Sequence, residues 1–159
     1  MPTETETPVT PYSVSVLTIE DAMDIAMWRT PGPWHVEDSL EPPPADEGYW
    51  AVRDSGNRLI GYCCFGETAR PHGLEAAPGK LDVALGLDPR FAGRHLSGDF
   101  ASSVVDHARV VADTRQLRCA VQDWNSQGRH TAEAVGFKMV GTHDVTGGRQ
   151  TTTYFVYEM

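Results

Sequence analysis

The stretch that most constrains this chain runs from residue 80 to residue 123. KLDVALGLDP at 80–89 alternates apolar and polar positions and puts Leu81, Val83, Leu85 and Leu87 on one face, the pattern of a strand. From about Leu96 to Asp113, Phe100, Ala101, Val104, Ala108, Val111 and Ala112 recur at helical spacing as a buried stripe. QLRCAVQDW, from Gln116, then reads as a second strand. Strand, helix and strand in that order make a crossover, which requires two parallel strands lying side by side.

The flanking segments are hairpin-like, so the whole sheet is expected to be mixed and mostly antiparallel. Ser13 to Leu17 reads as a strand, and Thr18 caps a helix from Ile19 to about Trp28 with Ile19, Ala22, Met23 and Ala26 on one side. RTPGPW ends that helix, and the Pro-rich run that follows makes residues 29–47 an irregular loop. Tyr49 to Arg53 and Leu59 to Phe65 flank the turn former DSGN, a hairpin signal. Gly66 to Gly79 is a long loop, and loops of that length inside a domain are often functional. Asn125 caps a short helix to about Val135, and FKMVGTHDV and TTTYFVYEM pair around GGRQ. The expectation is an α/β (α+β) domain over residues 13–159, preceded by a disordered lead over 1–12.

Charge and cysteine usage remove several function classes. A net charge of −9 leaves no general basic face for nucleic acid, although a negative field favours a cationic amine. No stretch nears the roughly 20 apolar residues that span a bilayer, and MPTETETPVTPY lacks the features of a signal peptide, so a cytoplasmic protein is expected. Cys63, Cys64 and Cys119 form no even-numbered framework and are expected to be reduced. The six histidines are scattered without metal-ligand spacing, so no metal is expected.

The segment between the first crossover strand and its helix is DPRFAGRHLS, residues 88–97. A loop there exposes main-chain N–H groups at a helix N-terminus, where an anion is stabilised by those donors and by the helix dipole. Gly93 allows close approach of the backbone, and Arg90 and Arg94 add positive charge. Taken alone, the same residues also suit an ordinary strand-to-helix connection.

RFAGRH resembles the Q/R-x-x-G-x-G/A loop with which GCN5-related N-acetyltransferases (GNAT) cradle the coenzyme A pyrophosphate. FGETAR at 65–70, LDVALGLDP at 81–89, LRCAVQDWN at 117–125 and EAVGF at 133–137 are similar, in order, to that family's third strand through fourth helix. The resemblance implies the GNAT fold, with central parallel strands splayed apart and helices flanking the sheet. It implies acetyl-CoA as cosubstrate, pyrophosphate at the amides of Gly93, Arg94, His95, Leu96 and Ser97, and the pantetheine arm along Ala84, Leu85, Gly86 and Leu87. Asn125 matches a position that commonly contacts the pantetheine, and it also suits a plain helix cap. A homodimer is one assembly the resemblance implies.

Two positions depart from the pattern. His95 and Ser97 stand where glycines are usual, which narrows the approach to the phosphates. The fourth-helix tyrosine that protonates the departing thiolate has its counterpart at Ala132, five residues before Phe137. The activity expected from the resemblance is transfer of acetyl to a primary amine of a small molecule or peptide, with Glu67, Asp82 or a water relay as the base. The alternative is a weak or inactive acyl-CoA-binding protein on the same fold. Trp34, Arg70 and His72, in the two long loops, are candidates for shaping the acceptor side.

Overall fold

The computed structural model describes residues 12–28, 48–91 and 97–159, with Ser97 as backbone only. Its elements are β1 (Ser13–Val16), α1 (Ile19–Ala26), β2 (Tyr49–Arg53), β3 (Leu59–Phe65), β4 (Lys80–Leu87), α2 (Ser97–Ala112), β5 (Gln116–Gln122), α3 (Ser126–Ala134), β6 (Lys138–Gly147) and β7 (Gln150–Glu158). The strands form one sheet in the order β1-β2-β3-β4-β5-β7-β6. Among these strands only the β4–β5 pair is parallel. This is the mixed α/β sheet expected from the sequence, and the crossover read from residues 80–123 lies at its centre. Among the described residues, no helix is long and apolar enough to cross a membrane.

The larger core lies between the sheet and α2 with α3. Leu81, Val83, Leu117 and Tyr157 from the strands meet Phe100, Val104 and Ala108 from α2. Gly61 lets β3 join this contact, because a Cβ there would lie 2.4 Å from the Phe100 ring. Tyr12, placed in the lead by the sequence pattern, packs against the same core. Val111, expected in the stripe, is only partly buried, and Val105 is buried in addition.

The smaller core lies on the other face, under α1. Thr18 Oγ1 accepts from the Asp21 amide at 3.0 Å, and Asp21 Oδ2 accepts from the Thr18 amide at 3.1 Å. Together they form a capping box. Burial alone would raise the Asp21 pKa, but the Thr18 amide and the Arg53 guanidinium, 2.6 Å away, hold it below the ordinary carboxylate value. That anchoring turns Asp21 toward the sheet, so Ala22, Ile25 and Ala26 follow it inward. Ile19 and Met23, expected in the buried set, face solvent instead.

His107, on α2, is packed edge-on to Trp50 with ring centroids 4.5 Å apart, and it also lies beside Phe65. Its Nε2 is buried and has no hydrogen-bond partner. Burial pushes its pKa below the ordinary histidine value. A histidine held neutral by the fold contributes stability above its unfolded pKa of about 6.5 and loses it as pH falls through the folded value. Urea unfolding between pH 7 and pH 5 should therefore show stability falling with pH, and His107→Phe should flatten that slope. An equal slope in the variant would remove His107 as its source.

Candidate active site

The crossover strands pair over only three rungs, from Lys80↔Gln116 to Asp82↔Arg118. Beyond that point Val83–Leu87 pair only with β3, and Cys119–Gln122 pair only with β7. The two central strands thus part, and a wedge opens in the middle of the sheet. Leu85 records the opening directly: it sits on a central strand yet remains 41% exposed.

Hydrogen-bond alternation tells which peptide groups line the wedge. Asp88 N–H donates to Ile60 O at 2.7 Å, and Gln116 N–H donates to Gly79 O at 2.9 Å. Even-numbered residues at this end of β4 therefore turn their main chain toward β3, while Leu85 and Leu87 turn theirs toward the gap. On the other wall, Leu117 exchanges hydrogen bonds with Met159 and Asp123 N–H donates to Thr153 O. By the same alternation, Ala120 and Gln122 face their peptide groups into the gap. Of Ala84 to Leu87, only Leu85 and Leu87 turn their main-chain groups to the gap. Ala120 and Gln122 were missed by the sequence reading, although strand period two carries that signal.

Gly86 serves a different purpose. A Cβ there would lie 2.3 Å from the Tyr62 ring, so the glycine lets Tyr62 lie across β4 at the mouth of the wedge. Tyr62 continues into Trp28 and Tyr49, with ring centroids 6.2 and 6.1 Å away, and makes an aromatic wall on the α1 side. Beside it is a depression lined by Asp24, Met27, Trp28, Asp88 and Arg90.

At the end of β4, Arg90 does not extend freely toward an anion. Asp88, 1% exposed, accepts from the Arg90 amide and from its Nε and Nη2, the last at 2.6 Å. The positive charge expected from Arg90 is thus matched by a carboxylate. Gly93, Arg94, His95 and Leu96 lie outside the described residues, as does Trp34. Ser97 opens α2, which places the helix N-terminus after this loop as anticipated. Asn125 caps α3, its Oδ1 accepting from Gly128 N–H at 2.9 Å. Ala132, the residue the resemblance sets against a tyrosine, is buried in the main core.

The two candidate bases differ sharply. Glu67 lies in a single 3-10 turn, Gly66–Ala69, and is exposed. Asp82 is 3% exposed and accepts from Arg118 Nε at 2.6 Å, Arg118 Nη2 at 3.1 Å and Arg70 Nη1 at 3.1 Å. A carboxylate has about four acceptor sites, and the two guanidinium groups engage three of those of Asp82. That geometry makes it a fastener at the last rung of the parallel pair. Arg118 Nη2 also donates to Glu75 O, and His143 Nε2 lies 2.9 Å from His72 O. The loop after β3 is thereby strapped to β5 and β6. Arg70 is brought to the closed end of the wedge, whereas His72 is exposed and engaged with His143 of β6 through its carbonyl.

Breaking one side of a buried ion pair leaves the other charge uncompensated, at about 3–5 kcal/mol. Asp82→Asn should lower the unfolding free energy by about that amount. Asp82→Leu combined with Arg118→Met and Arg70→Met should recover most of it, as replacing every member of a buried ion cluster by apolar groups usually does. Urea denaturation of the three chains tests this; a single variant as stable as the parent would show that the pair fastens nothing.

No protein-family model and no curated protein matches the sequence. Solved structures do match in fold. A GNAT-family acetyltransferase from Bacillus anthracis superposes with a TM-score of 0.72 over 94% of both chains at 9% identity. Spermidine N-acetyltransferase from Vibrio cholerae, solved with CoA and spermine, gives 0.65 over 94% of this chain and 95% of its own at 15% identity. Aminoglycoside acetyltransferase AAC(6')-Ib, in complex with coenzyme A, gives 0.66 over 91% and 93% at 18% identity.

Proposed function

We propose that this chain transfers an acetyl group from acetyl-CoA to a primary amine of a small molecule or peptide. The observation that carries the proposal is the wedge between β4 and β5, whose strands stop pairing after Asp82↔Arg118. An open gap in a central parallel pair is a costly feature unless an extended ligand supplies the missing hydrogen bonds. The pantetheine arm is such a ligand, and Leu85, Leu87, Ala120 and Gln122 are its proposed main-chain partners. The solved structures of the same fold that hold coenzyme A support this assignment.

The chemistry follows from thioester and amine. An alkylammonium has a pKa near 10.4, so the acceptor must lose a proton before its nitrogen adds to the acyl carbon. Glu67, exposed after β3, is the proposed base, directly or through water. Collapse of the adduct breaks the C–S bond and releases a thiolate. Because a thiol has a pKa of only about 8.5, that departure proceeds without a proton donor at Ala132. The aromatic wall of Trp28 and Tyr62 and the nearby Asp24 suit a cationic acceptor approaching from the α1 side.

The buried methyl of Ala132 favours a second reading, an acyl-CoA-binding protein with little turnover. General acid catalysis is worth roughly 10² to 10⁴-fold, so its loss slows transfer without removing the binding site. Acetyl-CoA at about 100 times its dissociation constant should raise the stability of the chain by about 2.7 kcal/mol. A melting temperature unmoved by millimolar acetyl-CoA would reject both readings. Where binding is seen, free-thiol release over a panel of amines separates enzyme from binding protein, and Glu67→Gln should lower the turnover.

A further inference from the structure

The cluster at the closed end of the wedge holds more positive charge than the fold uses. Among the described residues, Arg70 and Arg118 form ion pairs with Asp82 alone. Two cations and one anion therefore meet there in a chain of net charge −9. Arg118 by itself satisfies both Asp82 oxygens, so Arg70 is in excess as a structural partner. Among the described residues, Arg118 Nη1 and Arg70 Nε and Nη2 make no hydrogen bond. The side chain of Arg70 is 19% exposed, whereas that of Asp82 is 4% exposed.

Position gives this surplus a purpose. Asp82↔Arg118 is the last rung before the strands diverge, and the vertex of the wedge is where the inner end of an inserted ligand must stop. Leu81 and Val83 pack toward α2, so the Asp82 side chain lies on the opposite face of the sheet, the face that carries α1 and the aromatic wall. A partly buried guanidinium at such a place matches a carboxylate, which accepts from it in a paired, charge-assisted arrangement.

Resting on the acyl-transfer reading above, we infer that Arg70, supported by Arg118, is a carboxylate subsite that selects a substrate bearing a free carboxyl group. The carboxylate is carried either at the far end of a dicarboxylic acyl group or on the amine acceptor. Arg70 is the specificity-determining residue, and Asp82 sets its orientation through the 3.1 Å contact.

Two titration series distinguish the sources, each run on the parent chain, Arg70→Gln and Arg70→Lys. The first compares succinyl-CoA with acetyl-CoA by calorimetry. The second holds coenzyme A at saturation and compares a panel of amino acids with the matching amino-acid amides. One series should show the carboxylate form bound about tenfold more tightly by the parent. Arg70→Gln should erase that preference, Arg70→Lys should keep part of it, and acetyl-CoA affinity should stay within about twofold in both. If acetyl-CoA binds but neither series shows a preference, or the preference survives in Arg70→Gln, the subsite is refuted while the acyl-transfer reading stands. If acetyl-CoA does not bind at all, both fall together.

Discussion

The contact on which the site depends is the double hydrogen bond from Arg118 to Asp82 at the third rung of the parallel pair. Below it, β4 and β5 are a normal ladder. Above it, each strand keeps its outer neighbour and loses its inner one. Parallel strands usually remain paired because a central gap leaves peptide groups without partners. Here the pairing ends at a charged cross-link between side chains, which fixes the vertex while the strand ends above it stay apart. The same guanidinium holds the loop after β3 through Glu75 O, so the depth of the wedge and the placement of that loop are set by one residue.

The two faces of the sheet divide the work. Toward α2 the packing is apolar and dense, with Phe100 pressed against Gly61. Toward α1 the central strands carry Gly86, Asp82 and Arg118, and the cover is aromatic and partly open. A ligand threaded through the wedge would therefore have a rigid wall on one side and space for a second reactant on the other. Tyr62 links these features, because its ring reaches over β4 only where residue 86 lacks a Cβ.

Much of this was legible in the sequence, and the parts that were not share a physical cause. Local periodicity was enough for the strands, the crossover and the caps at Thr18 and Asn125, because each depends on residues within one or two turns. The resemblance of RFAGRH and its neighbours pointed to the GNAT fold, which the geometry bears out. Long-range pairing was not legible. Nothing near Asp82 in sequence announces Arg118, 36 residues away, so the carboxylate stood among the candidate bases with no sign of its partner. Arg53 likewise lies 32 residues from Asp21, and that distant partner turned α1 so that Met23 faces outward and Ile25 inward. The Asp88–Arg90 pair is local, but loop composition alone does not reveal that the arginine folds back onto its own carboxylate.

The alanine at position 132 bears on how much of the proposed chemistry the fold alone can supply. Orientation of two reactants contributes about 7–11 kcal/mol to a bimolecular step. A general acid worth roughly 10² to 10⁴-fold contributes about 3–5 kcal/mol, since each tenfold is near 1.4 kcal/mol. Orientation, the greater of the two, would reside in the wedge, whose walls are main chain and whose vertex is fixed by Arg118 and Asp82. Proton donation is what a buried methyl forfeits, and a thiolate leaving group needs it least. Under the acyl-transfer proposal, a chain with splayed strands and no proton donor at position 132 would therefore retain most of the rate advantage. On the same proposal, the choice of substrate would then be governed by the charges lining the wedge, with Asp24 at its mouth and Arg70 at its vertex.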